Sequence, residues 1–340
     1  MRYCPVQLPG AANPNSLMSA KSPYDTLVTI YGGSGFLGRN VVRALAKRHY
    51  RIRVAVRRPE LAGHLQPLGR VGQIHAVQAN IRNTQSVEAA ARGAGVLINL
   101  VGILSEGGRQ KFDAVHRDGA EKVALAASAH GARVVHVSAI GASEASPSHY
   151  GRSKAQAEML VRAAVPDAIV MRPSIMFGPD DTFFNRFGSM ARFVPGLPLI
   201  GGGETRFQPV FVSDVASAIA EAVDGRAKAG TTYELGGPDI MTFKQLMQFT
   251  LATIERKRLL LPLPFGLARI MGMFMQFAPG APLTPDQVES LRVDNVVSSE
   301  AKAEMRTLQG LGITPDSIAA IVPSYLWRFR PHGQFDRQPA

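Results

Sequence analysis

The chain has 340 residues, 46% of them hydrophobic and 19% charged, with a formal net charge of +12; this excludes a disordered polymer and, being long for one core, suits one larger domain with a smaller companion. The single cysteine, Cys4, excludes an internal disulfide and a cysteine-built metal centre, and the eight histidines show no HExxH spacing, so no metal is expected. The excess positive charge favours phosphate ligands, anionic membrane surfaces or acidic partners, but the basic residues are scattered without zinc-finger or RNA-recognition spacing, so nucleic acid is not expected.

Residues 1–25 hold Pro5, Pro9, Pro14 and Pro23 with no apolar period and read as a disordered tail. They lack a secretory apolar run or an Arg-rich presequence pattern, and Met18 is a candidate start whose test is the mass of the native protein. Residues 27–31 then form a buried strand, 36–48 a helix with Phe36, Leu37, Val41, Val42 and Leu45 on one side, and 51–56 a second strand. Further strands are expected at 74–77, 96–100, 134–138 and 168–171, with helices between them that include 112–130 and 150–164. This rhythm predicts an α/β protein, a Rossmann-type doubly wound parallel sheet. After Pro173 the pattern changes, and dense Pro and Gly between Pro195 and Gly203 mark a loop or lobe boundary. A βα unit returns at 210–223, followed by a strand at 233–235 and a helix from Thr242. The expected organisation is a nucleotide-binding domain over 26–173 with a returning unit at 207–236. A smaller, mostly helical C-terminal lobe takes 174–206 and 237–330, and 331–340 is a tail.

Gly32, Gly35 and Gly38 follow the first strand in a G-x-x-G-x-x-G spacing, and Phe36 and Leu37 open the helix. The first glycine permits a tight turn, the second lets the backbone approach a pyrophosphate, and the third lets helix pack on strand. The helix N-terminus then offers free N–H groups to the anion, so a dinucleotide site is expected. Arg57 stands 19 residues after Gly38, where an NAD-selective site places a carboxylate for the ribose. Arg57 and Arg58 suit a 2′-phosphate, so NADP(H) is favoured; Glu60 close by leaves NAD(H) open.

Tyr150 and Lys154 are four apart, on one face of a helix. Lys154 there is expected to lower the Tyr150 pKa and to hold a ribose, with Tyr150 exchanging a proton with a substrate oxygen. With Gly32–Gly38, Asn99-Leu100-Val101-Gly102, Arg172-Pro173-Ser174 and Gly236-Gly237-Pro238, these residues make the chain resemble the extended short-chain dehydrogenase/reductase superfamily over about residues 26–250. The resemblance places Asn80 and Ile81 near the adenine, Leu100, Val101 and Gly102 along the dinucleotide, and the stretch from Pro173 to Ile175 along the nicotinamide. The family's catalytic hydroxyl falls just past the fifth strand. Ser138 is the only hydroxyl before Ser143 and stands one or two residues early. Two readings therefore stay open: a catalytic group of Tyr150, Lys154 and Ser138, or a Tyr150/Lys154 pair that anchors a nucleotide.

Three longer stretches, 172–187, 207–215 and 259–264, are similar to the nucleotide-binding accessory subunit of respiratory complex I and its bacterial relatives. That resemblance implies a tightly held, structural NADPH and association with complex I subunits. It implies a place at the membrane-arm junction near the quinone site, and with no evident mitochondrial presequence the expectation is a bacterial relative, peripheral on the cytoplasmic face of the inner membrane. The alternatives are an active oxidoreductase or epimerase acting on a lipid, quinone or sugar nucleotide, and a nucleotide sensor acting on a partner. Residues 259–277 are strongly apolar with Arg269 as their only charge, but Pro262 and Pro264 leave a helix too short to span a bilayer, which needs about 20 residues. That helix is either buried in the second lobe or docks on a membrane or partner, with Arg256, Lys257 and Arg258 beside it.

Overall fold

The computed structural model describes residues 22–278 and 283–332; most of the expected N-terminal tail and the last eight residues lie outside them. Val- and Ile-rich runs form β1 (Leu27–Tyr31), β2 (Arg51–Val56), β3 (Ile74–Gln78), β4 (Val96–Asn99), β5 (Arg133–Val137) and β6 (Ile169–Pro173). Shorter strands follow: β7 (Met176–Phe177), β8 (Gly196–Ile200), β9 (Arg206–Phe207), β10 (Val210–Phe211), β11 (Thr232–Leu235), β12 (Met241–Thr242) and β13 (Leu259–Leu263). The seven-stranded sheet runs β11-β6-β5-β4-β1-β2-β3, parallel throughout. The order turns back between β1 and β4, which opens a crevice above their carboxyl ends.

The strand period of two divides the core. Val28 and Ile30 face α1 (Phe36–Lys47), whereas Tyr31 and Leu97 face α2 (Thr84–Ala91), α3 (Asp118–His130) and α4 (His149–Ala164). Later come α5 (Phe184–Phe193), α6 (Val212–Val223), α7 (Phe243–Thr253), α8 (Phe265–Met275) and α9 (Pro285–Ser290). Val215 and Ile219 of α6 join the α1 side of the core.

Three local expectations are revised. The helix expected over 112–130 begins as a π turn, Asp113–Arg117, because buried His116 must meet Ser153 Oγ at 2.9 Å and Ile103 N at 3.0 Å. The expected loop after Pro195 contains β8, which pairs in parallel with β13 in register Leu259↔Gly196 to Leu263↔Ile200. This two-stranded ribbon tolerates Pro198 and Pro262 because each strand keeps one free edge. Residues near 308 depart from the expected C-terminal lobe: Glu234 N donates to Arg306 O, and Leu308 is buried in the sheet core.

The C-terminal core is aromatic: Phe177, Phe184, Phe207 and Phe243 pack with Leu246, Tyr325 and Phe329. Of the two placements expected for α8, burial does not describe it. Only Ala268 and Gly272 are buried, while Ile270, Phe274 and Phe277 are exposed, the last two at 75% and 84%. Among the described residues no helix is long and apolar enough to cross a membrane.

Candidate dinucleotide site

The turn after β1 is closed by backbone. Gly32 takes φ +82°, a conformation that favours glycine. A Cβ on Gly38 would stand 2.5 Å from Gly32 O and Gly33 C, so α1 lies against the loop as only glycine allows. A Cβ on Gly35 would meet Gly32 O alone, at 3.4 Å, so that side is open. Gly35 is the N-cap of α1, has no side-chain cap, and the first turn carries no acidic residue. An anion is the natural partner of such an end.

The loop is one wall of a cavity of about 900 Å³. Gly32, Gly35, Phe36, Leu37, Gly38, Arg57, Asn80, Ile81, Leu100, Val101, Gly102, Ser138, Tyr150, Lys154, Pro173 and Ile175 all line it. Arg58 does not, because it follows Arg57 on the exposed turn leaving β2. Arg57 also lines an adjoining hollow with Gln78, Asn80, Asn83, Gln85 and Ser86. That corner offers a guanidinium, amides and a hydroxyl, and no carboxylate.

Lys154 is buried, and its Nζ donates to Val137 O at 3.1 Å. Gly102 leaves room for it, since a Cβ there would lie 3.4 Å from Nζ. Burial pushes the amine down to about 8, opposed by Glu158. The expected lowering of Tyr150 is reversed: its phenol is pushed up to about 12, first by burial and then by the Asp286 carboxylate. Lys154 Nζ is 6.0 Å from the centre of the Tyr150 ring and bonded to a carbonyl instead. The phenol is thus held protonated.

Ser138 is buried beside them, and its Oγ has no hydrogen-bond partner among the described residues. A buried hydroxyl without a partner at a cavity wall fits a polar ligand group. His116 packs edge-on to Tyr150 at 5.4 Å; burial and Lys154 push it down to about 2, so it stays neutral.

Three contributors were not visible in the sequence. Asp286 of α9 accepts from His149 N at 2.5 Å and Tyr150 N at 3.1 Å, closing the N-terminus of α4 with a carboxylate from the other lobe. Asn295 accepts from Ser174 Oγ at 2.7 Å and Ile175 N at 3.1 Å and donates to Ile140 O at 3.0 Å, tying the β5 and β6 exits together. Arg186 also reaches the cavity. Asp286 and Asn295 lie on segments with no local motif, and Arg186, inside the 172–187 stretch, carries no signal there that assigns it to the site. No cluster of three or more His, Cys, Asp or Glu able to hold a metal occurs among the described residues.

A glycine cradle at a sheet switch point and a Tyr–Lys pair lining the same cavity define a nicotinamide-dinucleotide-binding protein of the extended short-chain dehydrogenase/reductase type. The NAD dependent epimerase/dehydratase family model matches residues 28–236, and the chain belongs to that family. It is 37% identical over 320 residues to the NADH dehydrogenase [ubiquinone] 1 alpha subcomplex subunit 9, mitochondrial, of Arabidopsis thaliana, covering 90% of this chain and 79% of that protein. Two solved structures share the fold. The NADPH-dependent quinone oxidoreductase of Escherichia coli complexed with NADPH aligns at TM-score 0.70 and 19% identity, over 88% of this chain and 99% of that one. The dTDP-glucose 4,6-dehydratase of Streptomyces venezuelae with NAD bound aligns at TM-score 0.70 and 20% identity, over 89% and 96%.

Proposed function

We propose that this chain is an accessory subunit of the respiratory NADH:ubiquinone oxidoreductase that holds NADP(H) without turning it over. The observation that carries this reading is a glycine cradle beside a Tyr150 that is not paired with Lys154: Lys154 Nζ donates to Val137 O, 6.0 Å from the centre of the Tyr150 ring, and the Asp286 carboxylate closes the helix start at Tyr150. The similarity to the Arabidopsis subunit supports the complex, since it extends through both lobes. Arg57 and the polar hollow beside it support a 2′-phosphate and therefore NADP(H) over NAD(H). The exposed apolar face of α8 supports docking on a membrane or a partner subunit, which in this reading is the cytoplasmic face of a bacterial inner membrane.

One observation favours a second reading, an active reductase or epimerase. The partnerless Ser138 hydroxyl shares the cavity with Tyr150 and Lys154. A bound nicotinamide supplies hydride chemistry there, with Ser138 orienting a substrate oxygen and Tyr150 as its proton donor.

The test is purification from native membranes without added nucleotide, then denaturation, identification of the released nucleotide, and native electrophoresis. Stoichiometric NADP(H) co-migrating with the respiratory complex is expected. An empty, exchangeable site on a partner-free protein would overturn the reading.

A further inference from the structure

Beyond the nicotinamide end the cavity continues into the C-terminal lobe, and its lining changes. Phe183, Phe187, Met190 and Phe243 line it there, with Met271 and Met275 of α8. Positions 183, 187 and 190 share one face at the start and along α5. Arg186 stands on that same face and also lines the cavity.

The half-buried arginines elsewhere are held. Arg172 is bonded by Glu158 at 2.9 and 2.7 Å, and Arg48 by Glu221 and Asp224 at 2.7 and 2.5 Å. Arg186 has no ion pair or hydrogen bond among the described residues, and burial lowers its pKa. A guanidinium stays charged, and taking it from water without a counter-ion is unfavourable. The arrangement is a cation waiting for an anion at the edge of an apolar channel.

We propose that this arm of the cavity binds an amphiphile with an anionic head, the head paired to Arg186 and its long apolar chain lying along Phe183, Phe187, Met190 and Phe243 toward α8. The outer wall supports the choice of a lipid-like molecule. Met271 and Met275 of α8 line the cavity, Met271 itself being 39% exposed, while Ile270 and Phe274 of the same helix and Phe277 just beyond it are exposed. A single helix therefore separates the channel from an apolar surface of the kind that contacts acyl chains. This site is independent of whether the nucleotide turns over.

The test uses the full-length, delipidated protein loaded with NADPH. Palmitate, dioleoyl phosphatidylglycerol and the neutral hexadecanol are titrated by calorimetry. At least one anionic probe is expected to bind about ten-fold tighter than hexadecanol, the scale of one charge-assisted pair. Palmitate alone identifies a free fatty acid, phosphatidylglycerol alone a membrane lipid, and either supports the site. Arg186→Gln is expected to abolish the preference, with Arg186→Lys restoring most of it and NADPH affinity unchanged in both. Absence of any preference in the wild type, a preference that survives Arg186→Gln, or loss of NADPH on that substitution would overturn the proposal. The last outcome would place Arg186 in the nucleotide site.

Discussion

The sheet lobe and the C-terminal lobe build their share of the cavity from different materials. In the sheet lobe the wall is largely backbone: at Gly38 main chain touches main chain, and Gly35 leaves the loop open toward the cavity. Its core is aliphatic and small, with Val28, Ile30, Ala120, Ala124 and Ala127. In the C-terminal lobe the wall is side chain, and the same class of residue serves as core, as cavity lining and as outer surface. Phe184 is buried, Phe183 lines the cavity, and Phe274 is exposed. A backbone-built site tolerates almost no substitution but leaves a clear mark in the sequence. A side-chain-built site tolerates more and leaves little mark.

The sharpest contrast is within the glycine loop. Gly38→Ala is expected to cost about 3 kcal/mol and to abolish nucleotide binding, because its Cβ would meet fixed backbone. Gly35→Ala should stay folded, and urea denaturation of the pair measures the difference; equal losses would break the packing account. In the C-terminal lobe, Tyr325 Oη donates to buried Asp181 at 2.5 Å. Tyr325→Phe should cost about 2 kcal/mol. Asp181 keeps Gly178 N and Asn185 N, so nucleotide affinity should hold in a parallel titration.

Smaller effects sharpen the comparison further. Arg57→Ala is expected to weaken NADPH about ten-fold and leave NADH unchanged, read by fluorescence titration. Burial pushes His136 down to about 3, so the folded state refuses a proton that the unfolded chain takes up near pH 6.5. Stability from this group is complete above that pH and falls as pH drops below it. The wild type should lose about 1 kcal/mol more than His136→Gln between pH 6.5 and 5.5, measured by urea melts at both. Last, Phe274→Asp should change stability by less than about 0.5 kcal/mol yet reduce recovery with membranes in flotation assays. Unchanged flotation would remove α8 as the attachment face.

The same division explains what the sequence disclosed. The strands, the loop from Gly32 to Gly38, and the Tyr150/Lys154 pair were legible because each is a local pattern with a local cause. The β8–β13 ribbon was not, since Pro198 and Pro262 mask a pairing between segments some sixty residues apart. Asp286 and Asn295 act on α4 and on the strand exits from more than a hundred residues away. Without Asp286 in view, the Tyr–Lys spacing alone pointed to a lowered phenol pKa, the opposite of what burial and that carboxylate produce.

The central claim is that the nucleotide is held and not turned over. Its most direct measurement is nucleotide content and complex integrity in membranes carrying Tyr150→Phe, beside a parallel strain carrying Gly35→Asp. The account predicts full NADP(H) occupancy and an intact complex with Tyr150→Phe, and loss of both with Gly35→Asp, whose carboxylate would repel the pyrophosphate. A Tyr150→Phe protein that keeps its nucleotide but loses a substrate-dependent oxidation of NADPH would contradict it.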